Sequence, residues 1–135
     1  MSIPQQGGGP IERPEQLAEY IAAGEKPAEA WRIGTEHEKL GYRQSDLMPI
    51  PYDAPAGQPS IKAMLEGLRD RFGWTPVLEA GHIIGLERNG ANVSLEPGGQ
   101  LELSGAPLET IHQTCDEVNQ HLAEVREVAE KIGVG

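Results

Sequence analysis

The stretch HIIGLERNGANVSLEPGGQLELSG, residues 82–105, decides the fold. Asn-Gly at positions 89 and 90 is a strong signal for a type I′ turn between two antiparallel strands. With these two residues as the loop, three pairs face each other across the hairpin: Arg88 with Ala91, Leu86 with Val93, and Ile84 with Leu95. In the last two pairs an apolar residue meets an apolar residue, so the hydrophobic pattern supports this register.

A third strand follows the segment PGGQ, residues 97–100. A two-residue Gly-Gly loop would place Glu96 opposite Leu101, against the pattern. A three-residue loop over 98–100 is expected instead, with the pairs Leu95–Leu103 and Glu96–Glu102. Because side chains alternate between the two faces of a strand, each face then has a uniform character. The apolar face carries Val93, Leu95, Leu101 and Leu103, and the polar face carries Ser94, Glu96 and Glu102.

Upstream of these strands, the sequence predicts two helices and one more strand. A short helix is expected over about Pro14 to Ala23, with proline in its first turn and Gly24 after its end. An opening strand is expected over Trp31 to Arg43. Ser60 is predicted to cap a second helix, whose apolar face comprises Ile61, Met64, Leu65 and Leu68.

A long C-terminal helix is expected over about Pro107 to Ile132. Its apolar residues recur at spacings of three and four: Leu108, Ile111, Cys115, Val118, Leu122, Val125, Ala129 and Ile132. Coiled coils show such a stripe, but a helix lying on a sheet shows it more often. The apolar face of the predicted sheet, called the leucine face below, offers a surface on which this helix could lie. The predicted fold class is α+β, an antiparallel sheet with helices on one face.

Composition and charge restrict the function classes. The chain of 135 residues is long enough for one domain with a core, and 21 acidic against 11 basic residues give a net charge of −10. Because the basic residues are scattered singly, nucleic acid and anionic membranes are poor partners. Residues 1–12 are expected to form a disordered arm before a domain over 13–135. The single Cys115 cannot form an internal disulfide, which favours a cytoplasmic location.

Glutamates are predicted to share the polar face of the sheet. On the opening strand, alternation places Glu36 and Glu38 on one face and Ile33 on the other. If Ile33 joins the leucine face, the side without helices carries Glu36, Glu38, Glu96 and Glu102. Carboxylates about 5 Å apart repel each other by ~1 kcal/mol in water and by more in a cleft. Such glutamates are most often simply solvated. The alternative is that divalent cations lie between them, and ligands that are all oxygen favour Mg²⁺ or Mn²⁺ over zinc.

Two segments, RIGTEHEK at 32–39 and SLEPGGQLELSGAPLETIHQTCDEVNQHL at 94–122, resemble the proteobacterial and plant type of glutamate–cysteine ligase. The resemblance implies a glutamine-synthetase-like fold and ATP-dependent synthesis of γ-glutamylcysteine, the first step of glutathione biosynthesis, through a γ-glutamyl phosphate. Members of that family are much longer. The resemblance therefore covers only the N-terminal part of such an enzyme, and we expect 13–135 to be a fragment of its catalytic domain.

The resemblance also implies roles for particular residues. The four glutamates Glu36, Glu38, Glu96 and Glu102 match metal ligands of the family, which hold Mg²⁺ (or Mn²⁺) and through it ATP. His37 and Lys39 could lie near the same site, although a surface or capping role is the commoner one for His37. The Gly98-Gly99 pair is more often a loop closure than a phosphate cradle. Cys115 matches a cysteine that plant members use in a redox-regulating disulfide, but on the helix stripe we expect it to be buried.

The sequence leaves two other functions open. A related carboxylate–amine ligase would couple glutamate to a different amine. A non-catalytic acidic module would use the same sheet face to hold a metal or a partner. The expected partners of the ligase are the small molecules glutamate, cysteine and ATP.

Overall fold

The computed structural model describes residues 9–135. Three α-helices, one 3-10 turn and five strands follow in chain order: α1 Glu15–Ala22, the turn Ala28–Ala30, β1 Glu36–Lys39, α2 Ile61–Phe72, β2 Thr75–Glu79, β3 His82–Arg88, β4 Ala91–Glu96, β5 Gln100–Ser104 and α3 Ile111–Ile132. The strands form one sheet in the order β1-β5-β4-β3-β2, and every neighbouring pair is antiparallel. The predicted α+β class is confirmed.

The predicted N-terminal arm falls mostly outside the described residues, which begin at position 9. Residues 9–12 are exposed and belong to no helix or strand. The predicted first helix is confirmed as α1, although none of its residues is buried. Among residues 9–135, no helix is both long and apolar enough to span a bilayer.

The β3–β4 hairpin confirms the predicted turn. Asn89 and Gly90 have φ values of 53° and 86°, the positive pair that a type I′ turn requires. The pairs Leu86–Val93 and Arg88–Ala91 form as expected. The predicted pair of Ile84 with Leu95 is wrong, because β3 also pairs with β2 and that pairing shifts register between Val77 and Leu78. The shift turns Ile83, rather than Ile84, into the core.

The β4–β5 loop has three residues, as predicted, but they are 97–99 and not 98–100. Glu96 therefore pairs with Gln100, and Leu95 with Leu101. The reason is the turn itself: the Gly99 N–H donates to the Glu96 carbonyl at 3.0 Å, and both glycines have φ near 80°. Proline followed by a glycine of positive φ is the signature of a type II turn. Each residue of β4 exchanges its partner for one two positions away, so the faces of the strands are unchanged.

Helix α2 lies on the apolar face of the sheet. Ser60 caps it as predicted, its Oγ accepting a hydrogen bond from the Ala63 N–H at 3.1 Å. Its predicted apolar face is confirmed: Ile61, Met64, Leu65 and Leu68 are all buried. They pack in one core with strand residues that include Leu86, Val93, Leu101 and Leu103.

Helix α3 begins later than predicted, at Ile111. Thr110 and Gln113 form a capping box, in which the Thr110 Oγ1 accepts from the Gln113 N–H and the Gln113 Oε1 accepts from the Thr110 N–H at 2.9 Å. This reciprocal pair satisfies the first free N–H groups of the helix and starts it there.

The buried stripe of α3 is rotated by about one residue from the predicted one. Its buried residues are Thr114, His121, Glu124 and Val128, and the partly buried Val118, Val125, Ala129 and Ile132 flank them. The predicted burial of Cys115 is wrong, because this thiol is exposed. Polar side chains take the central positions of the stripe, and the burial of Glu124 is possible because side chains beneath the helix donate hydrogen bonds to it. The spacing of apolar residues in the sequence gives no sign of such partners.

The opening strand is shorter than predicted. Only Glu36–Lys39 is β-strand, while Ile33 forms an isolated backbone bridge with Leu108. Ile33 was expected to join the leucine face, but it is 41% exposed and does not.

Candidate functional site

The strand pairing places the four predicted glutamates on one face of the sheet. Glu38 lies directly opposite Glu102, and Glu102 lies opposite Ser94. Directly opposed residues of antiparallel strands point to the same side. The same argument adds Glu36, which lies opposite Ser104 on β5, and Glu96, which lies opposite Gln100 on β5. We call this surface the glutamate face; it lies opposite the side covered by α2 and α3.

Hydrogen bonds connect the glutamates to neutral neighbours on the glutamate face. The Ser104 Oγ donates to the Glu102 Oε1 at 2.9 Å, and the Gln100 amide donates to the Glu38 Oε2. Glu102 is only 7% exposed, whereas Glu36 and Glu38 are exposed at the strand edge. A buried carboxylate directly opposite a second one is unfavourable unless donors or cations compensate. The two donors meet part of that requirement.

Two polar atoms near the centre of the glutamate face have no hydrogen-bond partner among residues 9–135. They are the Asn92 Oδ1 and the Ser94 Oγ, and both atoms are buried. An unsatisfied buried polar atom costs about 1–3 kcal/mol. Together with the carboxylates they form a donor set made of oxygen atoms, the ligand type that Mg²⁺ and Mn²⁺ prefer.

The side chains do not form a complete metal site. Over the part of the chain that the structure describes, no group of three or more His, Cys, Asp or Glu side chains is placed to hold one ion. Glu38 and Glu102 are brought together as direct neighbours, and the four glutamates are not gathered around one point. Mg²⁺ usually takes one or two carboxylates and completes its shell with water and phosphate oxygens. The donor chemistry therefore fits this ion.

Sequence reasoning missed a fifth glutamate on the same face. Glu87 on β3 lies opposite Asn92, which in turn lies opposite Ser104. The signal was available in the alternation, because Leu86 was expected to face the core and its neighbour must then point away. Glu87 is exposed, so its carboxylate is accessible at the far side of the glutamate face.

His37 and Lys39 lie on the opposite side of the sheet. Their cross-strand partners are Leu103 and Leu101, which belong to the core. The suggestion that they lie near the glutamates is therefore wrong, and the physical reason is the one-residue alternation of a strand. Burial lowers the pKa of Lys39 to about 8, and its Nζ donates to the His37 carbonyl at 2.8 Å. Burial and the charge of Lys39 lower the pKa of His37.

A buried polar cluster between α3 and the sheet connects the helix to the strands. Glu124 accepts hydrogen bonds from Arg88 at 2.8 and 2.9 Å and from the Trp74 Nε1 at 2.9 Å. The Arg88 guanidinium also stacks over the Trp74 ring at 4.2 Å. Burial alone would raise the pKa of Glu124, but the donors Trp74, Arg88 and Gln120 lower it below its ordinary value. This cluster connects α3 to the sheet. It was not predicted, since its members are far apart in sequence.

Comparison with known proteins gives the context for the glutamate face. Residues 32–135 match the family described as Glutamate-cysteine ligase family 2 (GCS2). The chain belongs to this glutamate–cysteine ligase family. It is 52% identical over 121 residues to "Glutamate--cysteine ligase A, chloroplastic" of Oryza sativa subsp. japonica. It is 53% identical to "Glutamate--cysteine ligase, chloroplastic" of Solanum lycopersicum and 51% identical to the protein of the same name from Arabidopsis thaliana.

These matches confirm the resemblance and correct one prediction. Each covers 90% of the chain but only 22–23% of the relative, so the chain spans under a quarter of the length of these glutamate–cysteine ligases. The predicted cytoplasmic location is wrong, because the relatives are all named chloroplastic. Its basis was the single cysteine, which indicates that no internal disulfide forms and cannot distinguish a cytoplasm from a plastid.

Proposed function

We propose that this chain contributes the metal-binding face of an ATP-dependent ligase that joins the γ-carboxylate of L-glutamate to the amine of L-cysteine. The observation that carries the proposal is the glutamate face itself, found in a chain of the glutamate–cysteine ligase family. Glu36, Glu38, Glu96 and Glu102 all point to the side of the sheet that α2 and α3 leave open. An enzyme that binds ATP through divalent cations needs carboxylates on an uncovered face of this kind.

In the proposed reaction the γ-phosphoryl group of ATP passes to an oxygen of the glutamate γ-carboxylate, and ADP leaves. The cysteine amine then attacks the acyl carbon, phosphate departs with the electrons of the C–O bond, and the amine loses a proton. Bound Mg²⁺ (or Mn²⁺) would neutralise charge on the phosphate oxygens during the first step. The four glutamates would supply the protein ligands of the bound cations, one or two carboxylates to each ion, and the sheet keeps their strands in position. The Ser104 and Gln100 donors orient Glu102 and Glu38.

We also propose that residues 13–135 form part of a catalytic domain with a glutamine-synthetase-like fold. An antiparallel sheet with helices on one face and glutamates on the other supports this assignment. The matched share of the relatives, 22–23% of their length, supports a wider domain in which other segments contribute the remaining contacts.

A chimera tests the proposal. The matching segment of the Arabidopsis thaliana ligase is replaced by this chain, and product formation is measured with ATP, Mg²⁺, glutamate and cysteine. We expect γ-glutamylcysteine and ADP in equal amounts. Glu38→Gln and Glu102→Gln should each lower kcat/KM at least 100-fold, since each removes a charged ligand from the cation that stabilises the transferring group. Raising the Mg²⁺ concentration should restore part of the activity.

The matched control is Glu130→Gln, an exposed glutamate on α3, which should retain the activity of the chimera. A folded chimera that releases no γ-glutamylcysteine would contradict the proposed function. Full activity of both glutamine variants would contradict the assignment of the metal ligands. Equal or faster product formation with an amine other than cysteine would favour the related carboxylate–amine ligase instead.

A further inference from the structure

An apolar cavity of about 440 Å³ lies on the helix side of the sheet, away from the glutamate face. It is bounded by the C-terminal half of α3, the first turns of α2 and the edge formed by β1 and β5. Its apolar lining includes Ile50, Ile61, Met64, Leu101, Val125 and Val134. The volume falls within the range of small-molecule sites, about 300–1,000 Å³.

The Lys39 side chain lines this cavity. Lys39 pairs with Leu101 across β1 and β5, so it points to the same side as the core leucines. An ammonium has three N–H donors, and for Lys39 one of them reaches the His37 carbonyl. The ion pairs among residues 9–135 all use cations other than Lys39. The cavity therefore contains a half-buried cation that no carboxylate of these residues neutralises.

The other charged residues that line the cavity form no ion pair with Lys39. They are Arg126 and Glu130 on α3, both exposed and of opposite charge. Desolvating an ammonium is unfavourable unless an anion or further acceptors compensate. A ligand with one anionic group and an apolar body would neutralise the Lys39 ammonium and fill the apolar part of the cavity.

We propose that this cavity binds small carboxylic acids with an apolar chain, the carboxylate accepting hydrogen bonds from the Lys39 ammonium and the chain lying among the apolar residues of α2, α3 and β5. The proposal is independent of the ligase reaction, because the cavity and the glutamate face lie on opposite sides of the sheet.

Sodium octanoate, kept below its micelle-forming concentration, tests the proposal on this chain at pH 7. Titration followed by methyl NMR should show saturable binding, with the largest shifts at Met64, Val125 and Ala129. Lys39→Met should weaken octanoate binding at least tenfold, since it removes the cation and retains the apolar length of the side chain. The matched control Lys26→Met changes an exposed lysine and should leave the affinity unchanged.

A second probe keeps the test independent of how Lys39→Met folds. 1-Octanol has the same chain length as octanoate without its charge, and it should bind the unchanged protein at least tenfold more weakly. Failure of octanoate to saturate the methyl shifts would overturn the proposal. Equal affinities for octanoate and 1-octanol would also overturn it, and so would a folded Lys39→Met variant that binds octanoate as tightly as the unchanged chain.

Discussion

At the residue scale, Glu124 shows how a buried charge is tolerated in this fold. It is 6% exposed, and three side chains donate to its carboxylate: Trp74, Arg88 and Gln120. Charged hydrogen bonds of this kind are stronger than neutral ones. The carboxylate connects α3 to the β3–β4 hairpin and to the start of β2, so the position of the helix depends on it.

Glu124→Ala is therefore expected to lower the free energy of unfolding by about 3 kcal/mol, because it leaves the half-buried Arg88 and the Trp74 N–H without their acceptor. Urea unfolding at pH 7 measures this change. The matched control is Glu127→Ala, which also removes a glutamate of α3 paired with an arginine. Glu127 is 46% exposed in its pair with Arg71, so its loss should cost at most ~1 kcal/mol. Equal losses of unfolding free energy in the two variants would show that burial does not determine how much each glutamate stabilises the fold.

At the element scale, α2 and α3 meet at a glycine. A side-chain carbon added at Gly67 would overlap the Val128 side chain, which is 2% exposed. Glycine in a helix interior costs about 1 kcal/mol relative to alanine. The close approach of the two helices is the physical reason for a glycine at this position. The residues next to Gly67 in the sequence give no sign of that approach.

Gly67→Ala is expected to destabilise the chain by ~1–2 kcal/mol in spite of the better helix propensity, because overpacking at the crossing outweighs that gain. In a Val128→Ala background the same change should be neutral or stabilising, since the space it needs is then free. A double-mutant cycle by urea unfolding measures the coupling. Additive effects of the two changes would contradict close packing at this position.

At the scale of the whole molecule, the fold buries a neutral histidine between its layers. His121 is 2% exposed, and among the described residues neither ring nitrogen has a hydrogen-bond partner. Lys39 and His37 on β1, Arg88 on β3 and Glu124 on α3 are the charged or titratable groups around it. Burial, followed by the charge of Lys39, lowers the pKa of His121 to about 4, against the opposing effect of Glu124.

The free energy of unfolding should therefore depend on pH through His121. Its pKa is about 6.5 in the unfolded chain and about 4 in the fold, so between these values only the unfolded chain binds the proton. The contribution is complete above pH 6.5 and decreases as the pH falls toward 4, by up to ~3 kcal/mol. His121→Phe should show a smaller decrease over this range in urea unfolding. The exposed His112 on the same helix is the matched control, and His112→Phe should follow the unchanged chain.

A His121→Phe profile parallel to that of the unchanged chain would contradict a depressed pKa in the fold. The comparison is needed because carboxylates of this acidic molecule also titrate in the lower half of the range.

Much of the sheet could be predicted from the sequence because its determinants are local. The Asn-Gly turn at 89–90 and the alternation of strands β4 and β5 required only neighbouring residues. Alternation along each strand placed Glu36 with Glu38 and Glu96 with Glu102, and the pairing of β1 with β5 brought the two sets to one face. The predicted β4–β5 loop was misplaced by one residue, but this did not change which face each residue occupies. The misplacement shifted every cross-strand partner by two positions, and residues two apart on a strand lie on the same face. The start of α2 was equally local, through the Ser60 cap.

What the sequence by itself determined was the α+β class, the β3–β4 turn, the apolar face of α2 and the side of the sheet that carries the glutamates. Only the tertiary structure decided the rotation of α3, the burial of Ile83 rather than Ile84, and the placement of Lys39 beside an apolar cavity. The physical reason is that turns and alternation act between adjacent residues. Burial depends on partners such as Trp74, Arg88 and Glu124, which come together only when distant segments pack.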